Sequence, residues 1–230
     1  MHRLALVTGA SSGLGKELCI QLAAKKIPLL ITGKNKQALE ETAHLLPTDV
    51  EICVSDLKNR KNLIAKIHER TPDLIINNAG VGYYGDVLTH NLETIEVNVE
   101  ALTEISLESA KALASQNKKG TIMNISSAAA FFTYPSYVLY SASKAYVNSF
   151  SKSLDAELKK KGIRVLCVCP GQIDTPFHLK SGKKLRLAMP VEKAAKLILK
   201  QIEKQKPFNI IDWRYKILVF LSRGLTLKAI

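Results

Sequence analysis

A doubly wound α/β fold with a parallel sheet is the class this 230-residue sequence predicts, and three observations predict it. Short β-branched runs alternate with longer segments of helical period along nearly the whole chain. The first six of these runs are almost wholly apolar rather than alternating, as strands covered on both faces must be. A glycine-rich turn follows the first run at once and opens the first helix.

The elements follow in order. Leu4 to Thr8 reads as the first strand, because the apolar stretch at the N-terminus is too short for a secretion signal and runs straight into the glycine turn. A helical pattern over residues 13–26 closes at Lys25-Lys26. The strands Leu29 to Thr32, Val50 to Val54 and Leu74 to Asn77 are separated by helical patterns over 36–46 and 58–70. A long helix over 92–117 leads to the strand Thr121 to Ser126, and a second over 137–161 to Ile163 to Cys169. The last repeat is a helix over 191–205 and a short strand, Phe208 to Ile211. No repeat, low-complexity tract or Pro/Gly-rich linker divides the chain, so residues 1–211 read as one domain and 212–230 as an extension of it.

Composition narrows the class. A chain of 25.3 kDa buries about 70% of its unfolded surface, enough for a core without disulfides or metal. Cys19, Cys53, Cys167 and Cys169 sit apart in apolar stretches, and the five histidines are equally dispersed. This argues against a disulfide framework or zinc site and for the reducing cytoplasm. No window approaches the roughly 18 apolar residues of a membrane span. The net charge of +13 suggests an anionic partner, but no arginine-rich or aromatic-interleaved stripe supports nucleic acid. Lys25-Lys26, Lys118-Lys119 and Lys159 to Lys161 fall at expected helix C-termini, where cations complement the dipole.

Ligands of open α/β sheets bind outside the carboxyl ends of the strands. Those ends are Thr8-Gly9, Gly33-Lys34, Ser55-Asp56, Asn77 to Gly80, Ser126-Ser127 and Pro170-Gly171, all small, polar or turn-forming. The first carries Thr8-Gly9-Ala10-Ser11-Ser12-Gly13-Leu14-Gly15. Three glycines there permit a tight turn, bring backbone close to a pyrophosphate and present a helix N-terminus to it. At the end of the second strand a carboxylate would bind the 2′-hydroxyl of NAD. The sequence has Lys34, Asn35 and Lys36 instead, which suits the 2′-phosphate of NADP. Tyr140 and Lys144 share one helix face. Chance alone gives roughly one such pair in this composition, so the weight lies in context: Ser127 ends the fifth strand and Tyr140 opens the helix after it. A lysine beside a phenol is expected to lower its pKa toward the range of practical proton transfer, and Ser127 could donate to an oxygen where charge develops.

In order, these residues with Asn77-Asn78-Ala79-Gly80, Asn98 and Pro170-Gly171-Gln172-Ile173-Asp174-Thr175 resemble the motif set of the short-chain dehydrogenase/reductase superfamily, over residues 1 to about 205. The resemblance implies a Rossmann-like fold of seven parallel strands and a nicotinamide cofactor, NADP(H) in preference to NAD(H), bound at Gly9, Ser11, Ser12, Gly13, Leu14 and Gly15. Lys34 would meet the 2′-phosphate. Asp56 and Asn78 would lie near the adenine side, Ala79 and Gly80 would also contact the cofactor, and the region from Pro170 through Ile173 to Thr175 would pass the nicotinamide carboxamide. Tyr140 would be the general acid in reduction and the base in oxidation. Lys144 would hold the ribose, Ser127 polarise a carbonyl and Asn98 support a water relay to Lys144. The implied reaction interconverts a hydrophobic ketone or aldehyde and its alcohol. The alternative is a nucleotide sensor on the same fold without catalysis. Helices 92–117 and 137–161 are the usual subunit contacts, implying a homodimer or homotetramer.

The ending departs from the acyl-carrier-protein reductases of the superfamily, which finish in an Asp-Gly-Gly type turn; this chain continues with Asp212-Trp213-Arg214. Ile217, Phe220, Leu221 and Leu225 recur at helical spacing, with Arg214, Lys216, Arg223 and Lys228 beside them. Such a helix packs on the domain or a second subunit, or attaches peripherally to a membrane. Residues 177–189 form a basic lid, and Val81, Tyr83, Tyr84, Phe131, Phe132 and Phe177 are the expected apolar wall for substrate.

Overall fold

The computed structural model describes residues 2–182 and 187–226, without the side chains of 180, 181 and 222–226. Lys183, Lys184 and Arg186 of the basic lid, and the side chains of Arg223, Leu225 and Lys228, lie outside the described residues.

Seven strands form one parallel sheet: β1 (Ala5–Thr8), β2 (Leu29–Gly33), β3 (Val50–Val54), β4 (Leu74–Asn77), β5 (Gly120–Ile125), β6 (Ile163–Cys169) and β7 (Phe208–Ile210). Their order is β3-β2-β1-β4-β5-β6-β7, so the winding reverses between β1 and β4. A crevice for ligand opens at such a switch point. The helices are α1 (Gly13–Ala23), α2 (Lys36–Ala43), α3 (Lys61–Arg70), α4 (Glu93–Ile95), α5 (Leu102–Ser115), α6 (Val138–Leu158), α7 (Phe177–Ser181), α8 (Val191–Glu203) and α9 (Trp213–Thr226).

Alternation along the strands builds two cores. Val7, Ile31, Ile76 and Leu166 face one side, where Leu18 and Leu22 of α1 meet Ile198 and Ile202 of α8. Leu6, Leu30, Ile75 and Val165 face the other, against Leu63 and Ile67 of α3, Ile105 and Leu113 of α5 and Leu154 of α6. Burial on both faces explains why these strands read as continuous apolar runs.

The expected helix over 92–117 is interrupted by a wider, π-helical stretch from Glu96 to Ala101 between α4 and α5. Hydrophobic period does not announce such a turn, because one inserted residue leaves both flanking patterns intact. The lysine pairs expected at helix C-termini follow the last turns of α1 and α5, and Lys159–Lys161 form a 3-10 turn ending at Gly162. The extension is helical as α9, and Asp212 holds its start through the Arg214 backbone and guanidinium.

Candidate active site

The glycine turn leaves β1 with Gly9 at φ +67° and passes so near the loop after β4 that a Cβ on Gly9 would sit 2.9 Å from Ala79 Cα. Gly15 is tighter still, for its Cβ would fall 2.1 Å from the Gly9 carbonyl oxygen. The turn is therefore bare backbone by necessity. Ser12 precedes α1 in extended conformation without a side-chain cap, so the first N–H groups of α1 point outward. Asn78 fastens this turn: its side chain donates to Thr8 O at 2.9 Å, while its own N–H and that of Ala79 donate to Thr8 Oγ1.

Below these loops runs a buried polar chain. Asn77 Nδ2 donates to Ser106 Oγ and Asn124 Oδ1, and Asn124 Nδ2 to Ser151 Oγ, tying β4 and β5 to α5 and α6. Asn98 lies in the π-helical stretch, fully buried. Its Nδ2 donates to Val81 O and Ser143 Oγ, and its Oδ1 accepts from Val81 N–H at 2.9 Å. The extra residue of the π turn aims this side chain at the loop after β4, which it pins against α6.

At the carboxyl ends of the strands a cleft of about 420 Å³ is lined by Gly9, Ser11, Ser12, Leu14, Lys34, Asp56, Asn78, Ala79, Gly80, Ser127, Tyr140, Lys144, Pro170 and Ile173. Gly13, Gly15, Asn98 and Thr175 do not line it but stand behind its wall, Thr175 against Gly13. Of the expected apolar wall, Val81, Tyr83, Phe132 and Phe177 line the cleft. Phe131 does not: it closes a 3-10 turn (Ala128–Phe131) that directs its ring edge-on to Phe208, 6.1 Å away. Tyr84 is likewise outside, tilted against Tyr137. Tyr134, Tyr137 and Tyr215 take part instead. The aromatic run 131–140 signalled the first two, but Tyr215 reaches the cleft only because α9 folds back over Gly171.

Ser127, Tyr140 and Lys144 line this cleft as neighbours, Ser127 hydrogen-bonded to Tyr140 and Lys144 near its ring. A hydrogen bond from Ser127 favours the phenolate of Tyr140, yet burial wins and pushes its pKa up to about 12. Burial moves Lys144 the other way, down to about 8. The expected lowering of the phenol is thus absent from this structure. Lys144 Nζ sits 5.7 Å from the centre of the Tyr140 ring and donates to Ile125 O at 2.9 Å, while its own charge is costly to bury. At neutral pH Tyr140 holds its proton, and burial makes the Lys144 ammonium easier to deprotonate than an ordinary lysine.

A family model for the short chain dehydrogenases matches residues 3–186. An uncharacterized oxidoreductase of Staphylococcus aureus is 27% identical over 90% of this chain and 94% of its own length. One from Staphylococcus epidermidis is 28% identical over 76% and 80%. Among solved structures, a short-chain dehydrogenase from Sphingobium yanoikuyae in complex with NADPH superposes with TM-score 0.84 at 26% identity, covering 97% of this chain and 94% of that one. A bulky-bulky ketone specific alcohol dehydrogenase from Comamonas testosteroni gives 0.80 at 26% identity, covering 97% and 93%. The chain belongs to the short chain dehydrogenase family, and it is an oxidoreductase working with a nicotinamide dinucleotide.

The site fits such a group. Bare backbone and an open helix N-terminus at Gly9 to Gly15 suit a pyrophosphate. Thr32 Oγ1, buried beside them, has no hydrogen-bond partner among the described residues. Lys34 is exposed at the rim and forms no ion pair among the described residues, whereas Lys36 pairs with Glu40 on its own helix.

Proposed function

We propose that this chain is an NADP(H)-dependent oxidoreductase that interconverts hydrophobic ketones or aldehydes and their alcohols. The observation that carries this reading is the convergence of Ser127, Tyr140 and Lys144 in one cleft with the glycine turn. Gly9, Ser11, Ser12 and Leu14 hold the pyrophosphate, with Gly13 and Gly15 shaping the turn, and Lys34 holds the 2′-phosphate. Asp56 and Asn78 flank the adenine side, Ala79 and Gly80 also contact the cofactor, and Pro170, Ile173 and Thr175 pass the nicotinamide. When bound, the nicotinamide supplies or accepts the hydride.

Around it, this chain's residues place and move the proton. The Ser127 hydroxyl donates to the carbonyl oxygen and stabilises the charge that grows there. Tyr140, protonated at neutral pH, delivers its proton to that same oxygen in reduction and recovers it in oxidation. The Lys144 ammonium binds the ribose and stabilises the phenolate left behind. Asn98 acts through position, holding Val81 and the start of α6 in register, with one Oδ1 lone pair left for a water on the way to Lys144. Val81, Phe132, Tyr137, Phe177 and Tyr215 make the rest of the cleft apolar, in keeping with the ketone named for the Comamonas relative.

The four cysteines are free and buried, which suits the reducing cytoplasm. A second copy packs against α5 and α6 in this reading, which the exposed Leu107 and Tyr146 support. The test is oxidation of NADPH and NADH with a panel of ketones, quinones and aldehydes. NADPH is expected to be consumed faster, and Tyr140→Phe to lower turnover about a thousandfold with NADPH affinity nearly unchanged. Undiminished turnover in that variant would remove Tyr140 from its role, and tight NADPH binding with no substrate turned over would overturn the carbonyl reading.

A further inference from the structure

We propose that α9 is an interfacial helix whose outer face lies on the surface of an anionic phospholipid bilayer. The two faces of α9 differ sharply. Tyr215 and Val219, four residues apart, face the protein, with Val219 buried and Tyr215 lining the cleft. Opposite them Trp213, Ile217, Phe220 and Leu221 form one stripe at helical spacing, each at least half exposed and Phe220 at 79%. Single exposed apolar residues are ordinary, but a continuous row of four large ones needs a cover.

The helix cannot roll to bury the stripe against its own protein. Arg214 bridges the buried carboxylate of Asp212 to the carbonyl of Leu187, and Tyr215 is wedged over Gly171, where a Cβ would meet its ring at 2.3 Å. The cover must come from outside, and charge selects it. Residues 213–230 contain Arg214, Lys216, Arg223 and Lys228 and no Asp or Glu, and Lys216 is exposed beside the stripe. In a two-fold contact each surface meets itself, so a second copy would bring Lys216 against its counterpart with no Asp or Glu of the helix to answer it, Arg214 being already paired with Asp212. An anionic bilayer offers the apolar layer and the countercharge together, and tryptophan is favoured at its headgroup level. No helix among the described residues is long and apolar enough to cross a membrane, so α9 lies on the surface.

Trp213 is the only tryptophan in the chain, so its emission reports on this face directly. The full-length protein is titrated with phosphatidylcholine vesicles with and without phosphatidylglycerol, followed by Trp213 fluorescence and by co-sedimentation. Vesicles containing phosphatidylglycerol are expected to shift the emission to the blue and bind about tenfold more tightly, an advantage that high salt removes. Ile217→Glu/Phe220→Glu, which keeps the reporter and alters only exposed side chains, is expected to lose about tenfold or more of the binding. Leu45→Glu, an exposed leucine remote from α9, is expected to bind as the unmodified protein does. Equal binding by the double variant, or no binding to either vesicle, overturns the proposal. So does a dimer, seen by light scattering, that the double variant breaks while vesicles leave Trp213 unmoved, for then a second copy covers the stripe. None of these readouts needs cofactor or turnover, so a failed carbonyl reading leaves the result standing.

Discussion

The two ends of the cleft are built on different plans. At the end that holds the glycine turn, backbone does most of the shaping: Gly9, Gly15 and Asn78 fit so closely that side chains are excluded rather than displayed. At the aromatic end, side chains from distant parts of the chain do the work. Tyr137 and Tyr140 stack at 4.4 Å, Phe177 comes from the short α7, and Tyr215 arrives from α9. The difference teaches where this molecule tolerates change. A surface made of backbone fails when one methyl is added, whereas a wall of rings can be trimmed at modest cost.

Gly15→Ala breaks that comparison most forcefully. Its Cβ would meet the Gly9 carbonyl at 2.1 Å, so the turn must open at a cost of about 3 kcal/mol. Thermal unfolding should fall by several degrees and NADPH binding should vanish in a fluorescence titration. Undisturbed binding would show that the turn is looser than its geometry.

Next comes pH. Lys144 has a folded pKa near 8, below that of an unfolded lysine near 10.4. Between these values the unfolded chain carries a proton that the folded one lacks, so this residue makes stability rise with pH. Its penalty is full below pH 8 and fades toward 10.4. The stability difference between Lys144→Met and the unmodified protein should therefore shrink by about 2 kcal/mol from pH 7.5 to 9.5, as read by urea unfolding at each pH. A constant difference would mean that Lys144 is better solvated than its burial implies.

Lys34→Asp sharpens the glycine-turn end. It should weaken NADPH about thirtyfold and leave NADH within a factor of a few, by titration with each. The smallest effect is expected at the other end, where Tyr215→Ala should raise KM for a bulky aryl ketone about fivefold without changing NADPH affinity. A loss of NADPH binding in that variant would mean that the two ends are not independent.

Legibility in the sequence followed the same division. The seven strands were readable within a residue or so at each end, because burial on both faces leaves an unbroken apolar signature. The strand–turn–helix course of the glycine turn is readable because strand end, glycines and helix start are consecutive in the chain. The π-helical turn was not, since neither α4 nor α5 changes its apolar period across Glu96 to Ala101. Phe131 and Phe132 are neighbours of one type, and only the 3-10 turn decides that Phe132 enters the cleft while Phe131 packs on Phe208. The Tyr140 pKa departs from the sequence expectation for a related reason. Tyr140 and Lys144 share a helix face, but the lysine turns to Ile125 O and both are desolvated, so burial outweighs their proximity.

By itself, then, the sequence determined the doubly wound sheet, the glycine turn and which hydroxyl, phenol and ammonium stand near the strand ends. These depend on local spacing and on period, which the chain carries in its own order. Only the tertiary structure decided which aromatic rings enter the cleft, how Asn98 is aimed, which way the buried pKa values move, and that α9 shows its apolar stripe to solvent. Those outcomes depend on packing and desolvation by residues far apart in the chain, and no spacing records them.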